Sequence, residues 1–351
     1  MKEREFWIDN LKGILIILVV IGHFIATIVK NNVTINILYN LINSIHMPCF
    51  MIISGYLSKS RIDRKDVIGI LNRLAIPYFI AQFAIWCFAC CFPGGLAILG
   101  KNYQTTSQLI WLKPNYHLWF IFALLIYNLV TMLISRRNLH FSIILSYILS
   151  IFVGYLPNIF YMRLSKLIAF YPFFLLGYSL EKKLIENIRE KKLLKLIGLI
   201  LILLWIGLFI IFNDNFYSNI FIMSKSYTKY PKSFGQFYPI ISRVLFIPFA
   251  SLISFSFIVL VSNVKKSYTD IGKNSLYPYI LHGFFIIGLR ATNNTFFPFF
   301  NKINSIPEYT VYIALAICLT YFLSSNFVVN KFKKIFEIEL FKNNKSIQPP
   351  L

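Results

Sequence analysis

Residues 4–23 read REFWIDNLKGILIILVVIGH. Charge comes first, in Arg4, Glu5, Asp9 and Lys12, and an unbroken apolar run follows from Ile14 to Ile21. The stretch closes on Gly22 and His23, inside what reads as a membrane helix over residues 11–30. His23 lies eleven residues beyond Lys12, roughly 16 Å along a helix axis, which places its imidazole near or slightly past mid-membrane. An ionisable ring at that depth is costly unless it has a partner or a task. Asp9 and Lys12, three apart, share the charged entrance face, and His23 continues a similar stripe three turns on. A neutral imidazole so placed can take a proton from a hydroxyl near neutral pH. The plain alternative is a histidine that only hydrogen-bonds between helices.

The rest of the chain has the same character. Of 351 residues, 57% are hydrophobic and 14% charged, and the mean hydropathy is +0.66. A soluble domain of this size needs a far more polar surface, so the fold class is all-α, a polytopic membrane bundle. Ten spans are expected, over residues 11–30, 38–57, 74–92, 117–135, 140–157, 164–180, 193–212, 240–262, 271–289 and 309–330. The first apolar run lacks a small-residue cleavage site and reads as a retained span. Residues 1–341 form one transmembrane domain, and 342–351 a polar tail ending QPPL.

Charge sets the expected orientation. Lys and Arg number 35 against 13 Asp and Glu, a net charge of +22. That excess does not gather on one soluble face, so a nucleic-acid partner is not expected. It falls in blocks: Lys2, Arg4 and Lys12; Lys59, Arg61, Arg64, Lys65 and Arg73; Arg136 and Arg137; Lys182 to Lys195; Lys265, Lys266 and Lys273; Lys331 to Lys334. With ten spans and a cytoplasmic N-terminus every block falls on the cytoplasmic side, as does the C-terminus. The expected location is the plasma membrane, with lipid as the surrounding partner.

Other residues join His23 as candidates. His46 and Pro48 open the second span, which closes on Ser54, Gly55 and Tyr56. Arg61, Arg64 and Arg73 suit phosphates of a cytosolic donor or a plain topological anchor. His117 and Trp119 open the fourth span from the outer side, and His282 is a second intramembrane histidine. His140 borders an inner loop and is expected to face solvent. The five cysteines, including the Cys87–Cys90 pair, lack a second pair or a nearby histidine, so no metal site is expected. Asp and Glu are missing from the span interiors, which argues against an ion-driven transporter.

The ordered set resembles the acyltransferase 3 family, in its fucose 4-O-acetylase-like and polysaccharide O-acetyltransferase branch. The matching pieces are Arg4, Asp9, Lys12 and Gly13 with Gly22-His23, then His46-x-Pro48-x-Phe50 with Ser54-Gly55-Tyr56, and Arg73-Leu74 with Pro77-Tyr78. They continue with His117-Leu118-Trp119-Phe120, Tyr171-Pro172-Phe173-Phe174 with Gly177-Tyr178, and Gly272-x-Asn274-Ser275-Leu276-Tyr277 with His282. The resemblance implies ten helices with cytoplasmic termini, acetyl-CoA as the acyl donor and an envelope-glycan hydroxyl as acceptor. Lys12 stands where the family has Arg, and Ile70 where it has the first Arg of an Arg-x-x-Arg pair. Arg61 and Arg64 stand nearby. The expected function is O-acetyl transfer from cytosolic acetyl-CoA to an envelope or capsular sugar, with His23 as base or transient acyl carrier. In that scheme Asp9 and Lys12 orient the entrance, while Arg73, Arg61, Arg64 and Ser54 hold the donor. His46, His117, Trp119 and His282 hold a glycan or lipid-linked sugar. A lipid-linked glycan exporter, or a non-catalytic partner in polysaccharide assembly, would share these loops but transfer no label from acetyl-CoA.

Overall fold

The computed structural model describes residues 5–29, 32–99, 111–156, 163–212, 218–223, 225–295 and 303–341; the 342–351 tail lies outside them. Helix α1 runs Phe6–Ile25, so it begins and ends about one turn earlier than the hydropathy suggests. Its polar first turns are helical because their groups are satisfied. The Trp7 backbone N–H donates to the Asn263 side chain at 3.1 Å. Asn10, fully buried, donates to the carbonyls of Ser262 and Val264 and accepts from the Thr269 hydroxyl. Lys12 pairs with Asp9 at 3.2 Å. The helix then ends in a turn, which puts His23 in its last turn rather than near its middle.

Helix α2 covers Val33–Asp63 and continues through the start of the stretch expected as an inner loop. Asp63 makes the extension worthwhile: it accepts from the Tyr178 hydroxyl at 2.8 Å and pairs with Arg136. Asp66 caps α3 (Val67–Ile70) by accepting from the Gly69 N–H. A π-helical turn, Leu71–Ala75, leads into α4 (Ile76–Cys90). Pro77 has no N–H to give the α-helical ladder, and the wider register precedes it. Arg73 sits in that turn.

The remaining helices are α5 (Gly95–Leu99), α6 (Trp119–Thr131), α7 (Leu139–Phe152), α8 (Leu164–Ser179), α9 (Lys182–Glu190), α10 (Lys192–Ile211) and α11 (Asn219–Ile222). They are followed by α12 (Tyr238–Leu260), α13 (Thr269–Lys273), α14 (Leu276–Thr295), α15 (Ile306–Leu323) and α16 (Asn326–Phe336). No strand occurs among the described residues. Seven helical segments are long and apolar enough to cross a membrane: α1, α2, α3 through α4, Arg136–Tyr155, α10, α12 and α15. The fourth and sixth expected spans are shorter apolar helices, α6 and α8. The ninth is α14, where Pro278 falls in the first turn and costs no helical bond.

Between helices in lipid, apolar burial gives little net drive, because lipid tails are as apolar as Leu. Close backbone approach does more. A Cβ on Gly55 would lie 2.0 Å from the Phe174 carbonyl oxygen, and one on Gly177 would lie 1.8 Å from that of Ile52. These two glycines set the crossing of α2 with α8. Gly272 and Gly13 do the same for α13 on α1, where a Cβ on Gly272 would lie 1.7 Å from the Asp9 carbonyl oxygen. Helix α10 lies at the margin, with most of its leucines exposed, and is tied to α2 by the Trp205 indole donating to Ser44 at 2.9 Å. Three of the described aromatic residues between α10 and α12, Phe221, Tyr227 and Tyr230, fold inward. Tyr227 donates to the Ile151 carbonyl at 2.7 Å, and Phe221 and Tyr230 are buried. Arg243, inside α12 and buried, donates to the Ser150 carbonyl at 3.1 Å.

Candidate active site

Two hollows lie toward opposite ends of the bundle, and α1 contributes to both. Lys12 lines a cavity of about 790 Å³ at the end where α1 begins. His23 lines a smaller pocket, about 120 Å³, where α1 finishes. No described residue lines both.

The larger cavity is cationic. Besides Lys12 it takes Arg61 from the last turn of α2, Arg73 from the π-helical turn, Lys273 from α13 and Lys333 from α16. Ile70, at the position where the family pattern has Arg, lines the same cavity, and Arg61 supplies a cation beside it. Arg64 does not line it; its guanidinium is exposed and donates back to the Ser60 carbonyl at 3.1 Å. Ser54 also stands outside the lining, whereas Ser58, one turn on, belongs to it. The C-terminal segment forms one wall. Tyr277 donates to Glu337 at 2.6 Å, and the Asn72 side chain exchanges two hydrogen bonds with the backbone of Phe341.

The smaller pocket gathers His23, His46, His117 and Trp119 with Tyr39, Asn43, Lys166 and Tyr279. Four expected residues thus come together. His282 packs behind them, its ring centre 5.1 Å from His23 and 4.5 Å from His117. Two tautomers are fixed by the backbone. His46 Nδ1 lies 2.6 Å from the Ile42 carbonyl and His282 Nδ1 lies 2.8 Å from that of Pro278. Carbonyls only accept, so each Nδ1 carries the proton and each Nε2 keeps its lone pair. The close seat of His117 needs Gly283, where a Cβ would lie 1.9 Å from the imidazole.

His23 Nδ1 lies 3.1 Å from the Tyr116 hydroxyl. Tyr116 has φ 47°, a left-handed backbone that a bulky residue adopts at a cost of about 1–3 kcal/mol. The Arg290 guanidinium stands 5.2 Å from the Tyr116 ring centre. His23 Nε2 makes no hydrogen bond to a described residue, so the ring is held through one nitrogen with the other available. Trp119 carries the Lys166 ammonium 3.7 Å from its ring centre, so a sugar approaching that face meets the ammonium first. Tyr116, Lys166, Tyr39, Asn43, Tyr279 and Arg290 were not singled out by the sequence. The cysteines are all free thiols, and His140 is exposed.

A family model confirms the resemblance. Acyl_transf_3, described as Acyltransferase domain, matches residues 5–325. The chain belongs to this family. It is similar to Nodulation protein NolL of Sinorhizobium fredii, 31% identical over 205 residues, covering 55% of this chain and 54% of that protein. NolL of Mesorhizobium japonicum is 28% identical over 183 residues, covering 50% and 48%. The chain therefore spans about half the length of these two relatives. Inner membrane protein YcfT of Escherichia coli is 24% identical over 266 residues, covering 67% of this chain and 74% of that protein. No solved structure matches. The Acyl_transf_3 match takes in all of α1, the whole lining of the histidine pocket and the part of the cationic cavity that precedes α16; α16 and the residues after it wall that cavity from beyond the match.

Proposed function

We propose that this Acyl_transf_3 protein is a plasma-membrane O-acyltransferase that moves an acetyl group from cytosolic acetyl-CoA to a hydroxyl of an envelope glycan. The observation that carries the reading is the placement of Lys12 and His23 on one helix, the first in a cationic cavity and the second in a histidine-lined pocket. The cavity is of ordinary size for a ligand of this class. Its Arg61, Arg73, Lys12, Lys273 and Lys333 suit the donor's phosphates, with arginine offering paired donors. Asp9 holds the Lys12 ammonium on the entrance face. The acyl arm of the donor has to reach the pocket from this cavity, and α6 and α14 contribute residues to both linings.

In the pocket, Tyr116 accepts from His23 Nδ1–H, and Nε2 takes the proton of the acceptor hydroxyl. The hydroxyl oxygen attacks the thioester carbonyl, forming the C–O bond of the new ester. The C–S bond breaks, and the imidazolium returns its proton to the departing sulfur, releasing CoA thiol. His46, whose Nε2 lone pair is fixed by its own tautomer, can accept from a second hydroxyl of the sugar. His117 and His282 back His23 and hold its ring in place.

Membranes containing the protein are incubated with acetyl-labelled CoA and envelope polysaccharide from cells lacking it. Label should enter the polysaccharide as alkali-labile ester. His23→Ala should lower transfer by at least a thousandfold at unchanged protein level. Retained transfer in that variant removes His23 from the chemistry. Absence of transfer with the unaltered protein returns the exporter or scaffold readings.

A further inference from the structure

The pocket holds a cation that the transfer chemistry does not use. Lys166, in the first turn of α8, lines it together with His23 and His46. Its ammonium rests 3.7 Å from the Trp119 ring centre and 5.9 Å from that of Phe170. It makes no hydrogen bond or ion pair with a described residue. A primary ammonium set among aromatic rings at a membrane helix end is costly unless an anion completes its surroundings.

The chain offers few anions to do so. Every element reaching this end of the bundle can be read for acidic residues. The segments joining α4 to α6, α7 to α8, α10 to α12 and α14 to α15 contain one, Asp214, and the first turn of α15 adds Glu308. Asp214 lies outside the described residues. The Glu308 carboxylate is occupied at the start of α15, accepting from the N–H groups of Asn304 and Ser305 at 2.7 and 2.8 Å. The same segments carry Lys113, Arg163, Lys225, Lys229 and Lys232. Retention of cations on the cytoplasmic side explains the blocks at the opposite end but not an excess here.

We infer that the acceptor is an anionic glycan and that Lys166 binds its carboxylate or phosphate while a neighbouring hydroxyl meets His23. The inference rests on the acyltransferase reading above and narrows its substrate. The ammonium supplies a charge-assisted hydrogen bond, and Trp119 supports it from behind. Lys166 is here a specificity residue. It anchors the acceptor and takes no part in the proton transfer.

The test uses the full-length protein in lipid nanodiscs, labelled acetyl-CoA, and polysaccharide isolated from cells lacking the protein. One portion is kept native. A second has its carboxylates reduced to alcohols, and a third has its phosphates removed. Native material should be acetylated, and one treatment should lower kcat/KM at least tenfold; which treatment does so names the anion. Lys166→Gln should raise KM for the native acceptor at least tenfold with KM for acetyl-CoA unchanged, and Lys166→Arg should restore most of it. Equal transfer to all three portions overturns the anionic acceptor while leaving the acyltransferase intact. So does a Lys166→Gln effect confined to kcat or shared by both substrates. Lack of label in every portion overturns the acyltransferase reading itself.

Discussion

At the scale of single residues, the hold on the His23 ring matters most. Its one hydrogen bond among the described residues is to Tyr116, whose backbone is strained and whose ring lies beneath Arg290. A neutral hydrogen bond contributes about 0.5–1.5 kcal/mol, or roughly a 2- to 10-fold change in rate. Tyr116→Phe should therefore slow acetyl transfer by about that factor, with KM for acetyl-CoA unchanged, in steady-state assays on membranes. A loss as deep as that of His23→Ala would instead make the phenol a reacting group. His23, His46, His117 and Trp119 were legible because an ionisable or indole ring interrupts an apolar run. Tyr116 was not, since tyrosine occurs 21 times in this chain and one more carries no signal. Lys166 escaped for another reason: near a helix end a lysine reads as an ordinary snorkelling cation.

At the scale of helices, the bundle is held by approach of backbones rather than by apolar burial. Gly55 and Gly177 leave no room for a methyl group at the α2–α8 crossing. Gly55→Ala and Gly177→Ala should each destabilise the protein by about 1–3 kcal/mol. Thermal unfolding in detergent measures this, and unchanged melting would place the crossing elsewhere. Gly207, where an added Cβ meets nothing within 4 Å, serves as the neutral comparison. The positions of the helices were readable from hydropathy, but their ends were not. Helix α1 starts at Phe6 because Asn263, Ser262 and Val264, some 250 residues away in sequence, satisfy its first turn. Helix α2 continues to Asp63 because Tyr178 and Arg136 wait there. Such tertiary partners leave no trace in a local window.

At the scale of the whole molecule, sidedness matters most. The cationic cavity belongs to the end that carries Arg61, Arg73 and Lys333, and the histidine pocket to the other. Arg73→Gln should raise KM for acetyl-CoA about tenfold or more, the effect of removing a charged hydrogen bond, without changing KM for the glycan. In a cysteine-free background, a cysteine at position 229 should react with an impermeant maleimide on intact cells. One at position 333 should react only after permeabilisation. Labelling of both from the same side would refute the two-ended arrangement. The basic blocks made this arrangement readable, since they alternate with the apolar runs. The C-terminal wall of the cavity was not readable, because α16 is amphipathic and the segment is tied to the fold partly through Glu337 and Phe341, just beyond the helix, by partners far away in sequence.

The most direct trial of the account separates the two substrates by a bilayer. Proteoliposomes are loaded with envelope polysaccharide, and labelled acetyl-CoA is added only outside. Acetyl ester should accumulate on the enclosed polysaccharide without leakage of CoA into the lumen, and His23→Ala should abolish it. Transfer that occurs only when donor and polysaccharide share one side of the membrane would contradict passage of the acetyl group through the bundle.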